Sequence, residues 1–237
     1  MPDIFRFKQF DVDQSGCAMK INTDGVLLGA LTEVDQPKNI LDIGTGTGVI
    51  ALMLAQRFSG AKIDAVEIDA TAAQTAGGNF TSSPFAERLQ LYPTGFEQFF
   101  VENPGKKYDL IVSNPPFFIN SLKSPEAKKE LAKHTDEDFF RKLIKTISAH
   151  LNAEGRCWLI IPLTIADFIF YLAAENNLCL QKRINVKSFE DSLPHRVIAC
   201  FGSEKISTEI SKLVIYEAVG VYSEEYIKLL KPYFIAF

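Results

Sequence analysis

Three alternating glycines, Gly44, Gly46 and Gly48, separate two apolar runs and constrain the fold of this chain more than any other feature. The run before them, residues 39–43, is typical of a buried strand, and the run after them, residues 49–58, is long enough for a helix. Glycine adopts backbone conformations that other residues avoid and lets a ligand approach the main chain closely. The segment therefore predicts a strand, a tight turn that can hold a ligand, and a helix.

Short β-branched runs alternate with helical patterns along the rest of the chain. We expect further strands at residues 62–66, 88–92, 108–113, 157–161, 180–187 and 197–201. We expect further helices at residues 70–80, 136–151 and 164–175, the second with Thr135 as its N-cap. Such alternation predicts an α/β fold with helices on both faces of a parallel sheet. Ligands bind at the carboxyl ends of the strands in these sheets, so functional residues should follow the strands directly.

Composition and charge exclude several classes of protein. A net charge of −4 argues against a generally basic protein that coats nucleic acid, although it allows a local basic patch. No cysteine or histidine spacing indicates a metal site. The most hydrophobic stretch, residues 158–174, contains Pro162 and Asp167 and is too short to span a membrane. Because the start of the chain has no signal-peptide core, we expect a cytoplasmic protein. A length of 237 residues favours one domain, which we expect over residues 1–237.

The spacing of the glycines separates two classes of nucleoside-binding protein. Nicotinamide dehydrogenases use G-x-G-x-x-G, but Val49 occupies the third glycine position of that pattern here. The observed spacing, G-x-G-x-G through Gly48, disfavours such an oxidoreductase. Glu67 follows the next expected strand, and a carboxylate there can accept hydrogen bonds from both hydroxyls of a ribose. Together these features predict a ligand that contains a nucleoside.

A second motif, Asn114-Pro115-Pro116-Phe117, directly follows the expected fourth strand. An exocyclic amine on an aromatic ring is a poor nucleophile because its lone pair is delocalised. The Asn114 side-chain oxygen and the Pro115 carbonyl can each accept one N–H of such an amine and draw its nitrogen toward tetrahedral geometry. The prolines restrict the backbone that carries these acceptors, and Phe117 can stack on a flat base. The motif predicts methyl transfer to a planar amine and leaves the substrate open.

Residues 41–48, Glu67 and residues 114–117 resemble the S-adenosylmethionine-dependent methyltransferases with a Rossmann-like fold. Five further segments are similar to the bacterial tRNA1(Val) adenine-37 N6-methyltransferases: residues 5–10, 19–30, 194–197, 222–226 and 231–234. The resemblance implies a seven-stranded, mostly parallel sheet whose last strand is antiparallel. It also implies methyl transfer to N6 of adenine 37 in valine tRNA. Ribosomal RNA, DNA and a protein glutamine amide stay open as substrates, whereas the 114–117 motif argues against an RNA-binding module without turnover.

The resemblance also implies roles for individual residues. S-adenosyl-L-methionine would be the cofactor, and the target adenine would be held by Asn114, Pro115, Pro116 and Phe117. Residues 1–35 would be an extension that closes over the cofactor, and residues 203–237 a family-specific tail. Gly95 stands where related enzymes often carry an acid that contacts the cofactor adenine. The cofactor-binding residues would be Asp42, Gly44, Gly46, Gly48, Glu67, Phe96, Thr23 and Asp24.

Two groups of cations are candidates for binding the anticodon loop of tRNA. A rim near the base site would be formed by Lys123, Lys128, Lys129, Lys133 and Arg196. A second patch would be formed by Lys182, Arg183, Lys187 and Arg196, along with Arg6 and Lys8. An ordinary solvated helix surface explains the first group about as well. Contacts from these side chains to phosphates would supply affinity, and a loop base flips out at low cost compared with a base in a duplex.

Overall fold

The computed structural model describes residues 3–116 and 126–237, with side chains for residues 3–116 and 137–237. The strands within these ranges are β1 (Ile4–Arg6), β2 (Asp11–Asp13), β3 (Asn39–Ile43), β4 (Lys62–Val66), β5 (Leu89–Tyr92), β6 (Tyr108–Ser113), β7 (Leu151–Pro162), β8 (Cys179–Lys187), β9 (Arg196–Gly202), β10 (Glu209–Val214), β11 (Tyr216–Ala218) and β12 (Val221–Tyr222). The helices are α1 (Thr23–Leu31), α2 (Val49–Arg57), α3 (Ala70–Ser82), α4 (Phe96–Glu102), α5 (Glu126–His150), α6 (Leu163–Glu175) and α7 (Glu224–Leu230).

One sheet dominates the described part of the chain, with the strand order β10-β8-β9-β7-β6-β3-β4-β5. Its strands run parallel except for β9, which is antiparallel to both of its neighbours. The β1–β2 and β11–β12 pairs form two small antiparallel sheets. The expected α/β class and the antiparallel strand near residues 197–201 are confirmed.

The sheet has eight strands, not the seven that we expected. The additional strand is β10, which pairs in parallel with β8 at one edge of the sheet and lies in the segment expected to be a tail. This strand buries Leu213 but leaves Ile210 67% exposed. An edge strand with few buried side chains has little hydrophobic pattern, and its pairing depends on a partner distant in sequence.

Helix α5 begins ten residues earlier than expected, at Glu126, so Thr135 lies inside the helix and is not its N-cap. Residues 126–134 are rich in alanine, lysine, glutamate and leucine, which favour helix, but their apolar residues are too few to form a stripe that marks the start. Strand β7 follows α5 directly and begins at Leu151, six residues before the predicted start. Helix α4 is a further addition to the expected elements.

Helices cover both faces of the sheet, as expected. Helices α1, α2 and α3 bury apolar side chains in one core, and α4, α5 and α6 bury theirs in a second core on the opposite face. The parallel strands β3, β4, β5 and β6 all end at one edge, called here the carboxyl edge, and the opposite edge is called the amino edge. Among the described residues, no helix is both long and apolar enough to cross a membrane.

Candidate functional site

A cavity of about 340 Å³ lies at the carboxyl edge, where β3, β4 and β6 end. Ile43, Val66 and Ser113, the last residues of these three strands, are part of its lining. Its volume is within the range of small-ligand sites. The cavity is therefore where the α/β fold places ligands, at the carboxyl ends of parallel strands.

The glycine turn forms one wall of the cavity. Gly44, Gly46 and Gly48 have φ values of 73°, 57° and 84°, in the left-handed region that favours glycine. A Cβ atom added to Gly44 or Gly46 would have no atom within 4 Å, and both residues line the cavity. A Cβ at Gly48 would lie 2.5 Å from a ring carbon of Phe80. The first two glycines thus open the turn toward a ligand, whereas Gly48 allows α3 to pack closely against it.

Glu67 lines the cavity from the end of β4 and is tied to the glycine turn. Its Oε2 accepts a hydrogen bond from the Gly46 N–H at 2.8 Å, and its Oε1 accepts one from the Asp69 N–H at 2.9 Å. Each carboxylate oxygen has further acceptor capacity. The two backbone donors therefore orient the carboxylate and leave it able to accept two more hydrogen bonds from a ligand.

Asp42 lies fully buried on β3, directly before two residues of the cavity lining. Its Oδ2 accepts a hydrogen bond from the Thr45 hydroxyl at 2.7 Å, while its Oδ1 has no hydrogen-bond partner among the described residues. Burial raises the pKa of this carboxyl to about 7; the Thr45 hydrogen bond and the nearby Ala51 N–H favour the charged form, and Glu67 opposes it. A cation bound at the adjacent turn would stabilise the ionised form of Asp42.

The opposite part of the cavity is apolar. Phe96, at the start of α4, lines it and packs edge-on against Phe139, with ring centroids 5.9 Å apart. Ile68 also lines it and is 81% exposed. Gly95 leaves room for Ile68, because an added Cβ would lie 3.3 Å from its Cδ1 atom. Glu97 is an acid on this part of the lining, and its carboxylate is paired with Lys142 at 3.1 Å.

The N-terminal segment forms another wall through Cys17, Ala18 and Met19. Asn79 of α3, which is 5% exposed, connects this segment to the glycine turn. Its Nδ2 donates to the carbonyls of Asp13 at 2.8 Å and Thr47 at 2.9 Å, and its Oδ1 accepts from the Asp13 N–H at 2.8 Å. The buried Asn79 amide thus fixes the position of the N-terminal segment relative to the glycine turn.

The amine-binding motif lies only partly within the described residues. Asn114 and Pro116 line the cavity beside Ser113, whose hydroxyl donates to the Ile43 carbonyl at 2.8 Å. Pro115 is buried and lies outside the lining, and Phe117 lies outside the described residues. Asn114 is therefore brought to the same cavity as Glu67, Phe96 and the glycine turn.

Thr23 and Asp24 lie outside the cavity lining, at the start of α1. The N-cap of this helix is Asn22, whose side chain accepts from the Gly25 N–H at 2.9 Å. The Asp24 carboxylate is 2.7 Å from Nε of Arg196, so one ion pair joins α1 to β9. Lys123 lies outside the described residues, as do the side chains of Lys128, Lys129 and Lys133.

Sequence reasoning missed Ile68 and Asn79, and it assigned the N-terminal segment to the cofactor site without singling out residues 17–19. A signal for Ile68 was available, because it is an apolar residue between Glu67 and Asp69 at the end of a strand. Asn79 had no such signal, since its partners are 66 and 32 residues away. Its role is visible only after α3 packs against the turn.

Comparisons with known proteins agree with this geometry. The family model for the methyltransferase small domain matches residues 21–166. A tRNA1(Val) (adenine(37)-N6)-methyltransferase of Pedobacter heparinus is 48% identical over 237 residues, covering 100% of both chains. One of Bacteroides fragilis is 41% identical and covers 98% of this chain and 97% of its own. A solved structure of a predicted O-methyltransferase from Agrobacterium tumefaciens has a TM-score of 0.69 at 16% identity, covers 89% of this chain and 96% of its own, and shows the fold alone.

The fold, the cavity and these similarities place the chain among the Rossmann-like methyltransferases. Within that class, the chain belongs to the methyltransferase small domain family and to the tRNA1(Val) (adenine(37)-N6)-methyltransferase family. The cofactor of this class is S-adenosyl-L-methionine. The residues of the site fit this cofactor. The open Gly44–Gly46 turn leaves space beside the main chain, the Glu67 carboxylate can accept hydrogen bonds, and the unpaired Oδ1 of Asp42 lies behind the turn.

We expect Gly48→Ala and Gly78→Ala to change stability in opposite directions. Gly48→Ala should lower the free energy of unfolding by about 1–3 kcal/mol because of its positive φ, with a further loss from the contact with Phe80. Gly78→Ala lies in α3 with open space around the added Cβ and should raise it by about 0.5–1 kcal/mol. Urea unfolding measures both, and an unchanged stability of Gly48→Ala would contradict the packing described here.

Asn79→Asp is expected to weaken binding of S-adenosylhomocysteine at least tenfold in calorimetry. The substitution turns a carboxylate toward the Asp13 and Thr47 carbonyls and so separates the two cavity walls. Asn176→Asp is the matched control, because the Asn176 amide also donates to a carbonyl, that of Leu172, but at the distant end of α6. If both variants lose thermal stability and neither loses affinity, Asn79 has only a structural role.

Proposed function

We propose that this protein transfers the methyl group of S-adenosyl-L-methionine to N6 of adenine 37 in tRNA1(Val). The observation that carries the proposal is the position of Asn114, which lines the same cavity as the glycine turn and Glu67. The match of the whole chain to relatives with that printed activity supports the choice of substrate. The bound cofactor supplies an electrophilic methyl group on a sulfonium ion.

Asn114 and Pro115 prepare the amine in this proposal. The Asn114 side-chain oxygen accepts one N–H of the target adenine, and the Pro115 carbonyl accepts the other. Within residues 3–116 and 137–237, no hydrogen bond engages the Asn114 side chain, so its oxygen is available to a substrate. Both acceptors become stronger partners as positive charge develops on the nitrogen, so they stabilise the transition state more than the ground state. No strong general base is required, because the methylated amine loses its proton readily to water.

Individual residues are proposed to hold the cofactor and the target base. From the sequence, Glu67 would accept the ribose hydroxyls, Phe96 would pack on the cofactor adenine, and Asp42 would shape the pocket. We further propose that the buried Asp42 carboxylate, behind the glycine turn, acts on the methionine end of the cofactor through its charge. Phe117 is proposed to stack on the target base. Thr23 and Asp24 are proposed to act through the N-terminal segment, since residues 17–19 and not they line the cavity.

Residues 1–237 are proposed to form one domain in which residues 1–35 close over the cofactor and residues 203–237 are a tail. The contact of Lys8 with the Lys231 carbonyl, at 2.6 Å between Nζ and oxygen, connects these two end segments. A basic rim of Lys123, Lys128, Lys129, Lys133 and Arg196 is proposed to contact the anticodon loop, in a protein of the cytoplasm.

The direct test is methyl transfer from labelled S-adenosylmethionine to a tRNA1(Val) transcript. We expect label in the adenine-37 transcript and none when guanine replaces that adenine. Total RNA, DNA and protein from a strain that lacks the gene are assayed in parallel. Label in DNA or protein but not in RNA would contradict the proposed substrate.

Asn114→Ala is expected to lower kcat about 100-fold or more, by analogy with loss of a single transition-state hydrogen bond. Affinity for S-adenosylhomocysteine should change less than about twofold, because the substitution removes an acceptor for the substrate amine. Asn114→Asp keeps an acceptor oxygen and should retain more activity. Equal losses of kcat and of cofactor affinity would mean that Asn114 is structural.

Cofactor affinity should rise with pH up to about 7 and then level off. The raised pKa of Asp42, about 7, means that this buried group is protonated in the free protein at acidic pH. The ammonium group at the methionine end, which S-adenosylhomocysteine shares with the cofactor, favours the ionised form, so binding below pH 7 should release a proton. The same shift makes the free protein less stable as pH rises from about 4 to 7, because the unfolded chain gives up this proton at lower pH.

Calorimetry of S-adenosylhomocysteine binding between pH 5.5 and 8, in buffers with different ionisation enthalpies, measures this proton release. Asp42→Asn should remove the pH dependence. A wild-type dissociation constant that does not change with pH would show that the Asp42 charge does not act on the cofactor.

A further inference from the structure

We propose that an uncovered face of strands β8 and β10 binds the phosphate backbone of tRNA. This face, called here the β8–β10 face, consists of Arg183, Asn185, Lys187, Ile210, Lys212 and Val214. The proposal rests on the proposed function, since it names a surface for the same RNA substrate. RNA is the expected ligand because the face presents cationic and amide side chains, which can bind phosphate oxygens.

The register of the two strands places these side chains together. Ile210 pairs with Arg183 and Lys212 pairs with Asn185, and paired residues in adjacent strands point to the same side of the sheet. The alternate residues point the other way into the core, where Ile184 and Leu213 are 4% and 1% exposed. The cations are thus fixed on one surface by strand alternation.

Helix α6 covers the neighbouring strands on this side but leaves the β8–β10 face open. Ala199 and Phe201 of β9 are fully buried, and the Phe201 ring packs against Phe170 of α6. Beyond β9, Ile210 is 67% exposed and the Lys212 side chain 56%. The other residues of the face are half-buried: Arg183, Asn185, Lys187 and Val214. The Arg183 guanidinium lies 5.6 Å from the centre of the Phe170 ring, at the boundary between the covered and open regions.

The charge of the face is positive although the protein as a whole is acidic. Arg183, Lys187 and Lys212 contribute three positive charges. Glu190 is the acid that meets them: its carboxylate pairs with Lys212, and its backbone carbonyl accepts from Lys187. A phosphate can displace or share these contacts, because exposed ion pairs of this kind are weak.

The amino edge of the sheet carries an excess of negative charge. A groove there is lined by the carboxylates of Glu33, Asp35, Asp109, Glu154, Glu204 and Glu209, which outnumber its cations Lys38, Arg156 and Lys182. Lys182 belongs to this groove, where it pairs with Glu33 at 3.0 Å and Glu209 at 3.4 Å, so it is separated from its sequence neighbour Arg183. The distribution of charge therefore favours an RNA that approaches from the carboxyl edge and the β8–β10 face.

The face is within reach of an RNA whose target base lies at Asn114. Strand β8 is three positions from β6 in the sheet, or about 14 Å at the usual strand spacing. Lys187 ends β8 at the carboxyl edge, where Asn114 follows β6. Phosphates near the flipped base can therefore contact Lys187 and Lys212 while the base occupies the cavity. Such contacts position the RNA and add affinity without reading its sequence.

A matched pair of double variants tests the proposal. Lys187→Ala/Lys212→Ala removes two cations from the face, and Lys62→Ala/Lys205→Ala removes two exposed cations at the amino edge. For the first variant we expect a KM for tRNA about tenfold higher, with kcat and S-adenosylhomocysteine affinity unchanged. The plot of log affinity against log salt concentration has a negative slope, and the magnitude of this slope should fall by about 1.5, the value for two lost phosphate contacts. The control variant should behave as the wild type.

Two results would overturn the proposal. One is tRNA affinity of the Lys187→Ala/Lys212→Ala variant equal to that of the wild type in filter binding. The other is an equal loss in both double variants, which would mean a general effect of net charge. Filter binding does not depend on methyl transfer, so failure of the proposed reaction with intact tRNA binding is distinguishable from failure of this surface.

Discussion

The hydrogen bond from the Gly46 N–H to the Glu67 carboxylate joins the turn after β3 to the end of β4, and the other parts of the site are arranged around it. The bond requires a backbone with positive φ at Gly46, a conformation that is strained for residues with a Cβ. The same turn is supported from α3, where Asn79 binds the Thr47 carbonyl and Phe80 packs against Gly48. The glycines thus serve two different purposes, space for a ligand and close packing of a helix.

Two acids on neighbouring strands illustrate how environment separates similar groups. Glu67 is oriented by two backbone N–H donors at the surface of the cavity, whereas Asp42 is fully buried and has one unpaired oxygen. A carboxylate with charge-assisted hydrogen bonds stays a good acceptor, while a desolvated one favours the protonated form until a cation arrives. The two positions therefore differ in what they can do: Glu67 can accept hydrogen bonds from hydroxyl groups, and the charge of Asp42 responds to a nearby cation.

The overall charge of −4 conceals an uneven distribution. Carboxylates gather in the groove at the amino edge, and Arg183, Lys187 and Lys212 share the open β8–β10 face. An acidic protein can bind RNA if the repulsive groups face away from it, because screening limits their effect to roughly 10 Å at moderate salt. Net charge alone is thus a poor guide to whether such a chain acts on nucleic acid.

The antiparallel strand near residues 197–201 was implied by the family resemblance. The sequence by itself determined the α/β class and the positions of the glycine turn, Glu67 and Asn114. These features are local: each is carried by a strand pattern followed at once by residues with particular chemistry. Only the tertiary structure decided that Asn79 holds two cavity walls, that Asp24 pairs with Arg196 across 172 residues, and that β10 completes the sheet. The physical reason is that these contacts join segments far apart in the chain, so their energy depends on packing that no local pattern records.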